Sequence, residues 1–247
     1  MIDVHCHFDM AKNPEKYISD NEKRKIITIG MTNLPSHFQM GINHVRSYKY
    51  IRLALGLHPL RAKEHGKEHS KFKQYINETS YIGEVGLDFS REGFSTKEIQ
   101  IKSFEFVLDC IKTKNKILSL HSRQAEKETL EMLTEKRIGN AIFHWYSGTL
   151  NTLKSIVSSG FFFSINSAMI QSDNGKKIIA EIPKELVLTE TDFPFLINNN
   201  ISDVQIFLSK LWNVTETESE KIIFDNFNRL LKKIKPAANM DNKGNTS

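Results

Sequence analysis

The sequence predicts an α/β fold, a parallel (β/α)8 TIM-like barrel. Three observations lead there. Eight short apolar runs recur along the 247 residues. Helical patterns fall between and after them. Histidines and carboxylates gather at the C-terminal ends of the runs. The length suits this architecture, since a β/α barrel typically takes about 250 residues. Residues 1–235 read as a single barrel domain. The polar, aperiodic stretch 236–247 reads as a flexible tail.

The runs are Ile2–Val4, Lys25–Gly30, Tyr50–Leu57, Tyr81–Leu87, Lys116–Leu120, Asn140–Trp145, Phe161–Ile165 and Leu186–Thr189. In each the apolar residues are continuous rather than alternating, as expected of strands buried on both faces. The first two intervening helices carry weak patterns, but the later ones are clearer. Ser95-Thr96-Lys97-Glu98 reads as a capping box ahead of Ile101, Phe104, Leu108 and Ile111 at helical spacing. Ser202-Asp203-Val204-Gln205 and Thr215-Glu216-Thr217-Glu218 read the same way. Leu150, Leu153 and Ile156 form a stripe that Gly160 is placed to end. Strands alternating with helices give a parallel sheet, and eight strands close it. An open doubly wound sheet is the rival, but no glycine-rich phosphate loop follows the first strand.

Metal-ligand residue types occupy the strand ends. His5 and His7 close the first strand, His58 follows the third, and Glu84 lies in the fourth. His121 ends the fifth, His144 lies near the end of the sixth, and Asp192 follows the eighth. A barrel gathers these ends at one face, where active sites are built. His5 and His7 are two apart on a strand and so point the same way, while Cys6 between them points away. An unpaired carboxylate is costly in an apolar run, so Glu84 calls for a partner or an ion. Six ligands with one shared carboxylate fit two ions about 3.5–4 Å apart; the mixed imidazole and carboxylate set suits zinc, manganese or iron, and carboxylate-rich sites also take magnesium. The remaining histidines, His37, His44, His65 and His69, are expected on the surface.

Composition narrows the context. The net charge of +5 and pI near 9.0 suit an anionic substrate without requiring one. Two cysteines, Cys6 and Cys110, are too few to staple a domain of this size. No apolar stretch is long enough for a membrane span. The chain opens directly on a strand with no leader pattern, so it is expected in the cytoplasm.

These motifs together resemble the TatD family of metal-dependent deoxyribonucleases. The likeness rests on Asp3-x-His5-x-His7-Phe8-Asp9, Gly56-Leu57-His58-Pro59, the Gly-Glu-Val-Gly-Leu-Asp run from Gly83 to Asp88, and Leu120-His121-Ser122-Arg123. Phe143-His144 with Ser147-Gly148, Glu190-Thr191-Asp192-x-Pro194 and Asn226-x-x-Arg229-Leu230 complete it, collinear over roughly Met1 to Leu231. The resemblance implies a barrel with two divalent metal ions (Mg, Mn or Zn) that hydrolyses phosphodiester bonds in DNA, as an exonuclease on single strands or 3′ ends. It implies that His5, His7, Glu84 and Asp192 hold one ion, and that Glu84, His121 and His144 hold the other. It further implies Asp192 as the base that orients or deprotonates the attacking water, His58 and Arg123 as phosphate contacts, and Glu190 as a supporting acid.

Three residues depart from the family pattern. Phe193 stands where a small residue is usual, and Trp145 and Tyr146 stand where Cys and Phe are common. Both of the latter are candidates for stacking on bases or for wall packing. As a divergent member the chain also resembles the TatD-like component of a Qat-type antiphage defence system, which would imply partner proteins if it belongs to a defence operon; none of these residues by itself carries that context. Two other readings stay open on the residues alone. One is a hydrolase of the wider amidohydrolase superfamily acting on C–N or ester bonds, although Glu84 stands where those enzymes often use a carbamylated lysine. The other is a metal-binding scaffold subunit.

Overall fold

The structure is a computed structural model that describes residues 1–196 and 200–234. The stretch 236–247, expected to be a flexible tail, lies outside the described residues. Strands β1 (Ile2–Cys6), β2 (Ile27–Gly30) and β3 (Ile51–Leu53) form one parallel ladder. Strands β4 (Leu55–Leu57), β5 (Tyr81–Gly86), β6 (Ile117–His121), β7 (Ala141–His144), β8 (Phe162–Ile165) and β9 (Val187–Thr189) form a second. The run expected as one third strand is therefore two, β3 and β4, interrupted at Ala54. They occupy one position in the ring, which gives eight positions.

Thr32, just beyond β2, explains the interruption. Its hydroxyl donates to the Ala54 carbonyl at 2.9 Å and accepts from the Gly56 amide at 3.0 Å. Its backbone bonds Gly83 and Glu84 at 3.2 Å. The ring closes between β9 and β1. There the Asp192 amide donates to the His5 carbonyl at 2.9 Å, and the Thr189 hydroxyl donates to the Ile2 carbonyl. Asp3 adds a side-chain clamp across the same seam, accepting from the Thr191 amide at 3.0 Å and the Thr191 hydroxyl at 2.6 Å.

Among the described residues ten helices accompany the strands: α1 (Pro14–Lys23), α2 (Pro35–Val45), α3 (His65–Tyr75), α4 (Lys97–Ile111), α5 (Glu126–Glu135), α6 (Leu150–Ser158), α7 (Ser167–Gln171), α8 (Asp173–Ala180), α9 (Ile201–Trp212) and α10 (Glu216–Ile234). The two weakly patterned helices, α1 and α2, do form, and each starts on a proline at its first position. The capping expectations divide. At α10 the box is complete, with Glu218 accepting from the Thr215 amide at 2.8 Å and the Thr215 hydroxyl accepting from the Glu218 amide at 3.2 Å. At α4 it is not, because Thr96 is the cap residue and its hydroxyl instead bonds Gly93 and Gln100. At α9 the cap is Asn200, whose side chain accepts from the Ser202 amide, so the helix starts before the expected Ser202. The α6 stripe buries Leu153 and Ile156 but leaves Leu150 exposed. Gly160 sits at φ +74°, ending that helix as expected.

The core is the barrel interior and the layer beneath the helices, formed by buried residues such as Val4, Ile29, Leu118, Phe143, Phe163 and Leu188. No described helix is long and apolar enough to cross a membrane.

Candidate metal centre

The site lies on the C-terminal rim, in an open cleft of about 610 Å³ whose lining includes His7, His58, Glu84, His121, His144 and Asp192. The period-two geometry of β1 turns His5 and His7 toward each other, and their Nε2 atoms face at 3.3 Å. Cys6 points the other way, its Sγ 3.8 Å from the Ile29 carbonyl.

Glu84, 2 % exposed, stands at the centre. Its two carboxylate oxygens serve different sets of imidazoles. Oε1 lies 2.6 Å from His121 Nδ1 and 3.3 Å from His144 Nε2. Oε2 lies 3.1 Å from His7 Nε2, 3.2 Å from His58 Nε2 and 3.5 Å from His5 Nε2. Asp192 reaches in from beyond β9, its Oδ1 3.7 Å from His5 Nε2 and 4.0 Å from His7 Nε2. It adopts φ +49°, in the left-handed region, held there by its amide bond to His5. His144 stacks on His5 with ring centroids 3.8 Å apart. Ligand atoms converge within 4.8 Å in three groups: His5 with His7 and Glu84, His5 with His144 and Asp192, and His58 with Glu84 and His121.

A second layer fixes the rings. His5 Nδ1 lies 2.7 Å from the Ser119 hydroxyl. His121 Nε2 lies 2.7 Å from Asp88 Oδ2, and Asp88 is itself held by the Ser90 amide and hydroxyl. His144 Nδ1 lies 3.2 Å from Glu190, which accepts from Asn166 Nδ2 at 2.8 Å and from the Ser164 hydroxyl. Metal-binding histidines commonly donate their other N–H in this way, which sets the tautomer and the ring orientation. Gly86 makes the Asp88 contact reachable. It sits at φ +131°, and a Cβ there would lie 2.1 Å from the His121 carbonyl, so only glycine lets the chain turn from β5 toward Asp88.

Burial and charge set the protonation. Burial pushes Asp192 up to about 7, reinforced by the Glu190 and Glu84 charges and opposed by His144. Burial would lower His121, but the Glu84 charge and the bonds to Asp88 and Glu84 outweigh it and push the ring up to about 9. Burial pushes His5 down to about 4. Burial opposes ionisation of Glu84, but the surrounding histidines, led by His58 and His121, overcome it and hold its carboxyl well below the usual range.

All six residues expected to bind metal thus meet in one cluster, with Glu190 directly behind it. His58 lies deeper than a rim contact, within the Glu84 shell. Its Nδ1 accepts from the Leu60 amide at 3.1 Å, which leaves Nε2 as the protonated nitrogen of the neutral ring. Arg123 is exposed on the cleft wall, 4.0 Å from Glu92.

Other expectations are corrected. His65 is buried, not on the surface, and its Nε2 lies 3.0 Å from the His58 carbonyl. His44 is exposed, and His37 and His69 are partly buried. Of the three departures, Tyr146 is wall packing, 1 % exposed with its hydroxyl donating to the Thr149 carbonyl. Phe193 stacks on Tyr17 at 4.3 Å, and only Trp145 lines the cleft.

Sequence reading assigned no role to Asp88, Ser119 or Phe195. A polar Ser119 inside the apolar run Ile117–His121, on the same side of the strand as His121, was an available sign. Nothing in the sequence around Phe195 marks it.

Comparison with known proteins gives a consistent family. The family described as TatD related DNase matches residues 2–232. A metal-dependent hydrolase of Methanocaldococcus jannaschii is 27 % identical over 90 % of this chain and 91 % of its own. A Homo sapiens protein named as a deoxyribonuclease is 23 % identical, over 95 % of this chain and 96 % of its own. Among solved structures, an Escherichia coli TatD homologue superposes with a TM-score of 0.81 at 22 % identity, over 93 % of this chain and 97 % of that one, which supports the barrel fold.

Proposed function

Because the chain belongs to the TatD-related DNase family, we propose that it is a metal-dependent hydrolase that cleaves phosphodiester bonds in DNA. The observation that carries the reading is the division of Glu84. One oxygen faces His121 and His144 and the other faces His5, His7 and His58, the disposition of a carboxylate shared between two cations.

The donor set fits divalent ions. Imidazole nitrogens that face each other and a buried carboxylate at 3.1–3.5 Å, with Asp192 close by, make an array that a cation would satisfy. His5, His7, Glu84 and Asp192 would hold one ion, and Glu84, His121 and His144 the other. Such ions, of the Mg, Mn or Zn class, lower the pKa of water and neutralise charge on the attacking and leaving oxygens.

The chain's own groups do the rest. Asp192, at the rim beside His5 and His7, accepts the proton of the attacking water. His58 Nε2–H donates to a non-bridging phosphate oxygen. The Leu60 amide holds Nδ1, so the proton sits on Nε2, which faces Glu84 Oε2 at 3.2 Å and would turn to the phosphate once a cation takes its place on that oxygen. Arg123 offers a planar donor fork to the neighbouring phosphate. Glu190 holds the His144 ring at its far nitrogen.

The test is a labelled single-stranded DNA oligonucleotide incubated with metal-stripped protein and added magnesium or manganese, wild type beside Asp192→Asn. Metal-dependent shortening by wild type, lost in the variant, is expected. No cleavage with any divalent ion would overturn the reading.

A further inference from the structure

We propose that Trp145 and Phe195 form an aromatic clamp that grips a base beside the reacting phosphate. This rests on the phosphodiesterase reading of the site.

Both rings line the catalytic cleft, and each sits beside a different histidine of the cluster. Trp145 meets His144 edge-on, with ring centroids 6.4 Å apart, and Phe195 meets His7 edge-on at 5.1 Å. Trp145 is half-buried against the core and still lines the cleft. Phe195 leaves 54 % of its surface exposed. Its amide donates to the Asp192 carbonyl at 3.0 Å, so the turn that sets Asp192 also sets this ring. Trp145 adopts φ +40°, a left-handed conformation that is strained for a bulky residue. The neighbours explain that turn. His144 is held inward by Glu84 and Glu190, and Tyr146 is buried against Phe163. The backbone between them presents Trp145 to the cleft.

Two aromatic rings and the histidine–carboxylate cluster lining one cleft match a nucleotide, whose phosphate needs the charged groups and whose base needs an aromatic face. Stacking tolerates any base, because each has a π-face. Arg61 and Arg123 on the same walls would face the backbone.

The two tryptophans are Trp145 and Trp212, so Trp212→Phe makes Trp145 the sole reporter. With Asp192→Asn added to suppress cleavage and magnesium present, this protein is titrated with a short oligothymidylate. A parallel titration uses an abasic strand of equal phosphate count. Saturable quenching by the oligothymidylate, with affinity about 5-fold or more above the abasic strand, is the expected result. Phe195→Ala in the same background should remove most of that preference. Equal affinity for the two strands without quenching would overturn the clamp. If wild type still cuts oligothymidylate in that case, the nuclease reading stands without it. Quenching without cleavage by wild type would support the clamp and remove the nuclease reading.

Discussion

At the end of the barrel where β9 begins, Asn226 of α10 donates to the Lys184 and Val187 carbonyls at 2.7 and 2.8 Å, and Arg229 donates to the Glu185 carbonyl. Where β9 finishes, Asp192 is buried among His5, His7 and Glu84, its carboxyl raised to about 7 by burial. The same strand thus ends in opposite chemistry. At the first end, backbone carbonyls find side-chain donors, and the contacts hold the helix to the sheet. At the other, ionisable groups are crowded together at a cost in stability. Those groups are ones that a divalent cation could hold.

The contrast can be broken most severely at the rim. Asp192→Asn should lower kcat on single-stranded DNA by about 10²–10⁴-fold, the usual weight of a positioned base. The same substitution should raise the thermal midpoint of the metal-free protein at pH 8, since it removes a carboxylate that folding disfavours. A lowered midpoint there would contradict the view of the rim as uncompensated.

A smaller effect is expected one layer out. Asp88→Ala frees His121 Nε2 and should weaken metal affinity by about 10–100-fold, measured by titration with manganese. Unchanged affinity would mean that His121 needs no orienting partner.

The metal-free rim should also show itself in pH dependence. Asp192 and His121 both have folded pKa values above their ordinary ones. Each therefore contributes stability that is present at low pH and lost as pH rises, through about 7 for Asp192 and about 9 for His121. Melting of the metal-free protein should fall between pH 6.5 and 9. Added divalent ion should cancel the fall, because its ligands bind deprotonated. A flat profile without metal would count against the charge crowding.

The smallest effect on chemistry belongs to the opposite end. Asn226→Ala leaves two carbonyls without their donor and should cost about 1–3 kcal/mol of stability, read by denaturant unfolding. Turnover per folded molecule should stay at the wild-type level.

The sequence exposed the rim more fully than the details that support it. Continuous apolar runs fixed the strand positions, and ligand types at their ends marked the face, because a barrel converts sequence position at a strand end into spatial proximity. Glu84 was legible because an acid in an apolar run requires a reason. The break at Ala54 was not legible, since it depends on Thr32 inserting its hydroxyl from a neighbouring strand. The Ser95 box misled because its pattern is local, while Thr96 was drawn to Gly93 and Gln100. His65 read as a surface residue because α3 is rich in charge, yet its ring turns inward to the His58 carbonyl. Trp145 and Phe195 could be placed together only by the fold, being distant in sequence and carried by loops.

The most direct test of the account is a count of ions per chain. Wild type and Glu84→Ala would be loaded with manganese, desalted and assayed by elemental analysis. The shared-carboxylate account predicts two ions per chain in wild type, with the variant losing at least one and its DNA cleavage. A variant that keeps the wild-type metal content would show that Glu84 is not the shared ligand and would contradict the account.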